Sequence, residues 1–498
     1  MYRLSNVHLT DQHFFYQKEN RKHAQNAAKR GISNSTRRKF MNSFELIPTE
    51  ENLIQALSKD LLKRNKDLVR FYDLLLAQES ASSIAIDGRW GSGKTFFVKQ
   101  SMLLINAKNP MSDMDEEKKA SIVYALPFPK KAEEVEENYD VAVYYDAWEN
   151  DNDTDPVLSL VYEIIKQLGI NYAFEDNSNA FKLAGSVLEA LTGRNINGII
   201  ENFKSENPLT KIKEEKDLHE NIKNFFTELL VERGNRLVIF IDELDRCKPS
   251  YAVQLLERIK HYLCDERITF VFSVNLGELQ HTIKHYYGNT FDACRYLDRF
   301  FDMRISLPPA DKTAFYREMG LESSYILEKI SRKVIDTYNM ELREATRFYR
   351  QVKTAAYEPT HESRKWDFSF PDGKGKQLLL MYVVPILVGL KIVDISLYNE
   401  FVCGRSSKPL MDIYKDSDKG EWLATRLLDR NETFEEEEGK NVVTIEQKLQ
   451  QLYDAIFVTE YTGNVYRTVL GEYEFDDNSK HFVKSVESML SAYADYEL

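Results

Sequence analysis

The chain has few cysteines for its length, and no two of them have the spacing of a metal site. The four cysteines among 498 residues are scattered, and none forms a C-x-x-C pair. This argues against a zinc site or a disulfide framework and favours a reducing compartment. The patterns H-E-x-x-H and G-x-S-x-G are also absent. Neither a zinc protease nor a hydrolase with a nucleophilic serine is therefore indicated.

The sequence also lacks an apolar run long enough to cross a membrane. The longest, Leu378 to Leu390, has thirteen residues and is interrupted by Pro385, whereas a spanning helix needs about 20 apolar residues. The first forty residues contain no apolar core of the kind found in a signal peptide. We therefore expect a soluble, cytoplasmic protein with no membrane partner, in which residues 378–390 form a buried helix.

Negative charge is in excess but unevenly distributed. The net charge is −13, yet residues 1–40 carry nine Lys and Arg against two Asp and Glu, which leaves −20 on the remainder. So acidic a body is not typical of a general nucleic-acid-binding protein, and nucleic acid is not indicated as a partner. We expect residues 1–43 to form a basic N-terminal arm, either a solvated tail or an extension upstream of a start at Met41.

Apolar strands alternate with helical segments in the first 310 residues. Four short apolar runs are predicted strands, and the segments between them contain apolar residues at helical spacing. This alternation is typical of βαβ units, in which the strands pair in parallel. The predicted strands are Ser83–Ile86, Val141–Tyr145, Leu237–Ile241 and Ile268–Val274.

Changes in composition suggest the boundaries between regions. Residues 44–310 are predicted to form the α/β core, with charged or polar insertions at 108–140 and 170–234. Strand signals largely stop after Pro309, so residues 311–430 are predicted to be a helical lid and residues 431–498 a small C-terminal region. The expected fold class is an α/β parallel-sheet core followed by a mainly helical C-terminal region.

A Gly-rich sequence connects the first predicted strand to the helix that follows it. GRWGSGKT at 88–95 matches the pattern G-x-x-x-x-G-K-[ST] in full. Glycine permits turns that a Cβ would block, so that successive N–H groups converge on a phosphate, and the helix N-terminus adds to this attraction. Lys94 is expected to reach the β- and γ-phosphates, and Thr95 to offer its hydroxyl to Mg²⁺. The predicted nucleotide-binding residues of the loop are Gly88, Arg89, Trp90, Gly91, Ser92, Gly93, Lys94, Thr95 and Phe96.

An acidic sequence follows the most apolar predicted strand. LVIFIDELDR occupies residues 237–246, and the carboxyl ends of parallel strands are where ligands bind. Asp242 is the candidate for coordinating Mg²⁺, and Glu243 is the candidate for orienting and activating the attacking water. A local salt bridge explains Asp245 and Arg246 as well as a catalytic role does.

The second predicted strand ends in another acidic and aromatic sequence, YYDAWEND at 144–151. Asp146 would lie close to the Gly-rich loop and could support the Mg²⁺ site. Trp148 is equally well explained as a buried core residue. The chemistry of these residues does not rank the two interpretations.

Four polar residues further along the chain are weaker candidates. Asn275 ends the fourth strand and is either a contact of the γ-phosphate or a helix cap. Arg299 lies near a predicted helix end, where it could stabilise transition-state charge, and a surface arginine is the alternative. Arg343 is followed one helical turn later by Arg347. Either of these two reaches the nucleotide from the lid or pairs with a neighbouring glutamate.

Several of these sequences together resemble the KAP P-loop NTPases, an AAA+/STAND-like branch of the additional-strand NTPases. They are GRWGSGKT, DAWEND, FIDELDRC, FSVN, YLDRFF and LREATRF, within about residues 45–350. The resemblance implies a five-stranded parallel sheet, an additional strand between the two Walker strands, and a helical lid. The residues to which it assigns roles are Lys94, Thr95, Asp242 and Glu243 toward ATP and Mg²⁺, Asn275 as a sensor-like residue, and Arg299 as an arginine-finger-like residue.

The resemblance also suggests a biological role. Some KAP members carry transmembrane helices between the Walker strands, but residues 170–234 of this chain contain no long apolar run. Soluble bacterial members are similar to components of anti-phage operons. The leading hypothesis is an ATPase that acts as a nucleotide-driven switch or assembly platform in a multi-protein defence complex, with operon partners or as a homo-oligomer. The alternatives are a nucleotide-gated scaffold with little hydrolysis and a DNA-directed ATPase motor.

Overall fold

A computed structural model describes residues 47–128, 139–168, 233–262, 265–321, 326–361 and 378–483, except Glu79, Glu437 and Asn464. It also describes Gly375 and a few positions between 224 and 230. The predicted basic arm at 1–43 and most of the predicted insertion at 170–234 lie outside the described residues. The described residues from Pro48 onward belong to one compact unit.

Five parallel strands form the central sheet, in the order β2-β3-β4-β1-β5. Strand β4 lies between β1 and β3, so the sheet contains the additional strand that the resemblance implies. The four predicted apolar strands are present, three of them slightly longer than expected. The strands are β1 Ser82–Asp87, β2 Asp140–Asp146, β3 Arg236–Asp242, β4 Ile268–Val274 and β5 Met303–Ser306.

Burial explains why one strand was not predicted from its residues. Every residue of β4 is buried, as is all of β3 after its first residue, because helices cover both faces of a parallel sheet. Strand β5 lies at the edge and alternates half-buried with exposed residues. Its short sequence therefore carries no apolar run.

Helices flank the sheet and follow its strands. Several begin at capping residues: the Asp155 side chain, for example, accepts hydrogen bonds from the N–H groups of Val157 and Leu158, which satisfies donors at a helix start. The helices of the core are α1 Glu50–Ser58, α2 Asn65–Leu76, α3 Lys94–Lys108, α4 Glu116–Tyr124, α5 Pro156–Gln167, α6 Pro249–Tyr262, α7 Leu276–Tyr287 and α8 Ala293–Leu297.

Part of the predicted insertion at 108–140 belongs to the packed core. Helix α4 lies in this segment and contacts α3 and α1, with Ile122 and Leu126 buried. The sequence analysis did not predict this helix, because its apolar side is short and the surrounding charge conceals it. Residues 129–138 lie outside the described residues.

The region after β5 is mainly helical, as predicted. Residues 378–390 are almost entirely buried, as expected, and form a π-helical turn, Leu379–Val383, that runs into a helix. No helix among the described residues is long and apolar enough to cross a membrane. The helices are α9 Lys312–Glu318, α10 Ile326–Thr337, α11 Leu342–His361, α12 Val384–Val393, α13 Ile395–Val402, α14 Lys408–Tyr414 and α15 Asp418–Arg426.

The last described elements pack on these helices. The hydroxyl of Tyr453 donates to the carbonyl oxygen of Phe401 at 2.8 Å, and the two rings contact each other. Two small sheets complete this part of the chain. The elements are β6 Glu432–Thr433, β7 Asn441–Val442, α16 Ile445–Tyr453, a π-helical turn at Asp454–Val458, β8 Thr468–Leu470 and β9 Tyr473–Phe475.

Candidate functional site

The Gly-rich loop joins β1 to α3 and needs glycine at three positions. Gly91 and Gly93 have φ angles of +81° and +91°, a region that other L-residues adopt only with strain. A Cβ on Gly88 would lie 2.9 Å from the Ser92 hydroxyl oxygen. Gly93 precedes the first residue of α3, so the loop ends where the unpaired N–H groups of a helix start can face an anion.

Lys94 occupies the curve of this loop. Its ammonium donates to the carbonyl oxygens of Gly88 (2.6 Å) and Arg89 (3.2 Å). Burial lowers the pKa of Lys94, and the nearby carboxylates of Asp245 and Asp242 oppose that shift. Uncharged carbonyls only partly compensate a buried cation, which favours an anionic ligand at this position.

The next two residues differ in what they can offer a ligand. Thr95 is half-buried at the start of α3, where its hydroxyl remains a candidate metal ligand. The side chain of Phe96 is buried in the core. Of the predicted binding residues, Phe96 can therefore present only its backbone N–H.

Carboxylates gather at the same edge of the sheet, at the ends of β2 and β3. Asp242 is 1% exposed and lies opposite Asp146 on β2 and Ser273 on β4. Its two oxygens accept hydrogen bonds from the Tyr144 hydroxyl (3.1 Å) and the Glu243 N–H (3.0 Å). Both donors are neutral, so neither hydrogen bond supplies a positive partner for the carboxylate.

Glu243 follows directly in a strained conformation. Its φ is +60°, an uncommon left-handed value for a residue other than glycine. Burial, with Asp242 nearby, raises the pKa of Glu243 to about 7, although Arg246 opposes the shift. Its side chain forms an ion pair with that arginine. A carboxyl whose pKa lies near neutrality is suited to proton transfer at physiological pH.

An aromatic cluster that the sequence analysis missed connects three motifs. The Trp90 indole N–H donates to Asp245 at 2.6 Å. The Arg246 guanidinium lies 5.7 Å from the centre of the Trp90 ring and 5.5 Å from that of Trp148, within range of a cation–π contact. Trp148 is 52% exposed, so its interpretation as a buried core residue is wrong. The sequence feature that could have indicated this cluster is the presence of a tryptophan in each of two polar motifs, GRWGSGKT and DAWEND.

These contacts bring the Gly-rich loop, the DAW sequence and the DELDRC sequence into one site. The chain matches the KAP family P-loop domain over residues 64–358, which is more than half of its length. The chain belongs to the KAP family of P-loop NTPases. An uncharacterized protein of Methanocaldococcus jannaschii is 34% identical over 95 residues, which cover 17% of this chain and 49% of that protein. The match therefore spans about half the length of that relative.

Asn275 caps a helix of the KAP domain. Its side-chain oxygen accepts from the N–H of Glu278 at 3.4 Å at the start of α7, which is the helix-cap alternative. The neighbouring Leu276 N–H donates to Asp87 at 2.9 Å, at the end of β1. The start of α7 is thus tied to the strand that carries the P-loop, and the sensor-like role of Asn275 remains a prediction.

The candidate arginines Arg343 and Arg299 lie in different places. Arg343 is the second residue of α11, and a Cβ on Gly91 would lie 3.0 Å from the Arg343 Cβ, so this helix of the predicted lid rests against the P-loop. Arg299 is exposed in the turn between α8 and β5, where its carbonyl accepts from Lys260. Within the part of the chain that the structure describes, no hydrogen bond or ion pair joins Arg299 to the loop.

The site suits a nucleoside triphosphate with Mg²⁺. A cavity of about 690 Å³ lies beside the loop, between residues 306–313 and the lid helices, a volume typical of ligand sites. The hydroxyls of Ser92 and Ser273 are buried without a partner. No group of three or more acidic, His or Cys residues among those described could hold a metal alone. Thr95 and Asp242 remain the predicted ligands of Mg²⁺, together with phosphate oxygens.

Replacing Gly91 with alanine should weaken nucleotide binding. The substitution strains the backbone by about 1–2 kcal/mol and drives a Cβ against Arg343, which displaces the loop or the lid helix. Isothermal titration with Mg-ATP measures the change in Kd. Gly439→Ala is the matched control, because Gly439 has a φ of +83° and no atom within 4 Å of the added Cβ. Equal Kd values for the two variants would contradict the expectation.

Proposed function

We propose that this KAP protein binds ATP with Mg²⁺ at residues 88–95 and hydrolyses the terminal phosphate. The observation that carries the proposal is the shared location of the P-loop, Asp242 and Glu243 at one edge of the sheet. The loop N–H groups and Lys94 bind and orient the phosphates, while Asp242 and Thr95 hold the cation. When bound, Mg²⁺ would neutralise phosphate charge and stabilise the charge of the transition state.

Glu243 is the residue proposed to take a proton from the attacking water. In the structure it is paired with Arg246, which holds the carboxylate between two tryptophan-bearing motifs. To act as a base, Glu243 must exchange that partner for water. We infer that the hydrolytic rate depends on events that move Arg246, as a nucleotide-driven switch requires.

The same ion pair is the observation that favours the alternative function, a nucleotide-gated scaffold with little hydrolysis. Phosphate release from Mg-ATP and Mg-GTP, measured with the purified protein alone and with proteins encoded beside it, separates the two. Turnover supports the ATPase. Tight binding with no turnover in any mixture supports the scaffold.

We further propose that the protein acts in a multi-protein anti-phage complex and assembles through its ATPase core. Support comes from the family resemblance and from the exposure of Arg299, which leaves it accessible to a neighbouring protomer. Purifying the protein with its operon neighbours and identifying what elutes with it tests the partnership. Phage challenge of cells carrying the operon, with and without this protein, tests the role.

Arg299→Ala should bind ATP normally but hydrolyse it slowly, if the arginine completes the site of an adjacent protomer. Wild-type turnover per protomer should then rise with protein concentration. Mixing the variant with Lys94→Ala protein should restore part of the activity, because one chain supplies the arginine and the other the intact loop. Arg295→Ala, an exposed arginine one turn earlier, is the control. Concentration-independent turnover without complementation would show that each chain is complete.

A further inference from the structure

Arg64 is a buried charged residue that no motif in the sequence singles out. It precedes α2 and is only 5% exposed. Burial lowers its pKa to about 10, so the guanidinium remains charged at neutral pH. A buried charge needs hydrogen-bond partners to offset its lost hydration, and the identity of those partners indicates what the residue does.

The first partner is the P-loop backbone. Nη1 of Arg64 donates to the carbonyl oxygen of Ser92 at 2.9 Å. The Ser92–Gly93 peptide is trans, and in a planar trans peptide the C=O and N–H point in opposite directions. Holding the Ser92 carbonyl toward Arg64 therefore turns the N–H of Gly93 away from it. A Cβ on Gly93 would lie 3.2 Å from Nη1, so glycine also leaves room for this approach.

The second partner belongs to the connection between the core and the lid. Nη2 of Arg64 donates to the carbonyl oxygen of Pro308 at 2.5 Å, just after β5. Two residues before Arg64, the Leu62 carbonyl accepts from the N–H of Asp311. One side chain thus joins the P-loop to the segment that leads into the lid.

We propose that Arg64 is a positioning residue for the phosphates: it fixes the Ser92–Gly93 peptide so that the Gly93 N–H faces the ligand, and it ties this loop to the lid connection through Pro308. The proposal rests on the proposed function in so far as the P-loop binds a nucleoside triphosphate. Both hydrogen-bond partners of the guanidinium are uncharged carbonyls, while the nearby carboxylates of Glu341 and Asp67 stabilise its positive charge.

Arg64→Lys tests the proposal, because lysine keeps the charge but cannot donate to both carbonyls with a planar fork. The Kd values of Mg-ATP and of inorganic tripolyphosphate should both rise about tenfold or more, as expected for loss of a hydrogen bond made by a charged group. Arg70→Ala, in α2 and largely exposed, is the control and should leave both values unchanged. Because tripolyphosphate has no nucleoside, a rise in its Kd places the effect of the substitution at the P-loop.

Circular dichroism and thermal melting without ligand accompany the titrations for Arg64→Lys and Arg64→Gln. A folded variant with wild-type affinity for both ligands overturns the proposal. So does a loss confined to Mg-ATP, which would place the effect in the nucleoside cavity. Failure of both variants to fold also overturns it, because Arg64 would then serve folding alone. If wild-type protein binds neither ligand, the proposed function itself fails.

Discussion

Lys94→Ala should weaken binding of Mg-ATP by about a hundredfold or more, close to complete loss, corresponding to about 3 kcal/mol. The ammonium lies within the curve of the P-loop, where it donates to the carbonyls of Gly88 and Arg89. In the variant, a triphosphate bound at this loop would lack the buried positive charge of Lys94. Isothermal titration calorimetry, or competition against a fluorescent ATP analogue, measures the change.

The control for this variant is Lys108→Ala, at the last residue of the same helix. Lys108 lies over the Phe128 ring, away from the P-loop, so its removal should leave the affinity unchanged. Unaltered binding of Mg-ATP to a folded Lys94→Ala protein would refute the assignment of the loop as the nucleotide site.

Glu243→Gln should separate binding from hydrolysis. The amide keeps the shape of the side chain but cannot accept a proton from water, so turnover should fall by about a hundredfold or more while ATP remains bound. The amide also replaces the ion pair with Arg246 by, at most, a hydrogen bond to an uncharged oxygen. Single-turnover phosphate release measures hydrolysis, and nucleotide retention on a desalting column measures binding.

Glu149→Gln is the matched control, because Glu149 is an exposed glutamate near the same end of the sheet. It should hydrolyse ATP at the wild-type rate. If Glu243→Gln retains wild-type turnover, another group, with Asp245 the first candidate, takes the proton.

The sequence predicted the centre of the fold well because its strands are buried on both faces. Buried strands such as β3 and β4 are continuous apolar runs bounded by polar residues, and their short length distinguishes them from buried helices. Strand β5 escaped this approach, since an exposed edge does not require apolar residues. Helix α4 escaped it as well, because only a narrow side of the helix is buried.

Within the site, local motifs were predictable and contacts between distant segments were not. The Gly-rich loop and the Asp242–Glu243 pair each consist of residues that are close together in the sequence, so their spacing can be recognised directly. The contact of Arg246 with Trp90 and Trp148 depends on how three loops fold over the same strand ends, and the sequence does not show that arrangement. The role of Arg64 could not be predicted for the same reason. Its partners are backbone carbonyl oxygens, which every residue has, so the identities of the partner residues do not reveal the contacts.

The position of β4 has a mechanical consequence. Neighbouring strands lie about 4.8 Å apart, so β1, which leads into the P-loop, and β3, which ends in Asp242, are separated by about 9.6 Å. The phosphate-binding half and the acidic half of the site are therefore separated by the width of one strand, and the buried residue Ser273 of β4 lies between Ile86 of β1 and Asp242 of β3. A ligand that contacts both halves of the site would link them. If the proposed hydrolysis removes the terminal phosphate, this link between the two halves would be lost, and helix α11, which contacts Gly91, would be placed to respond.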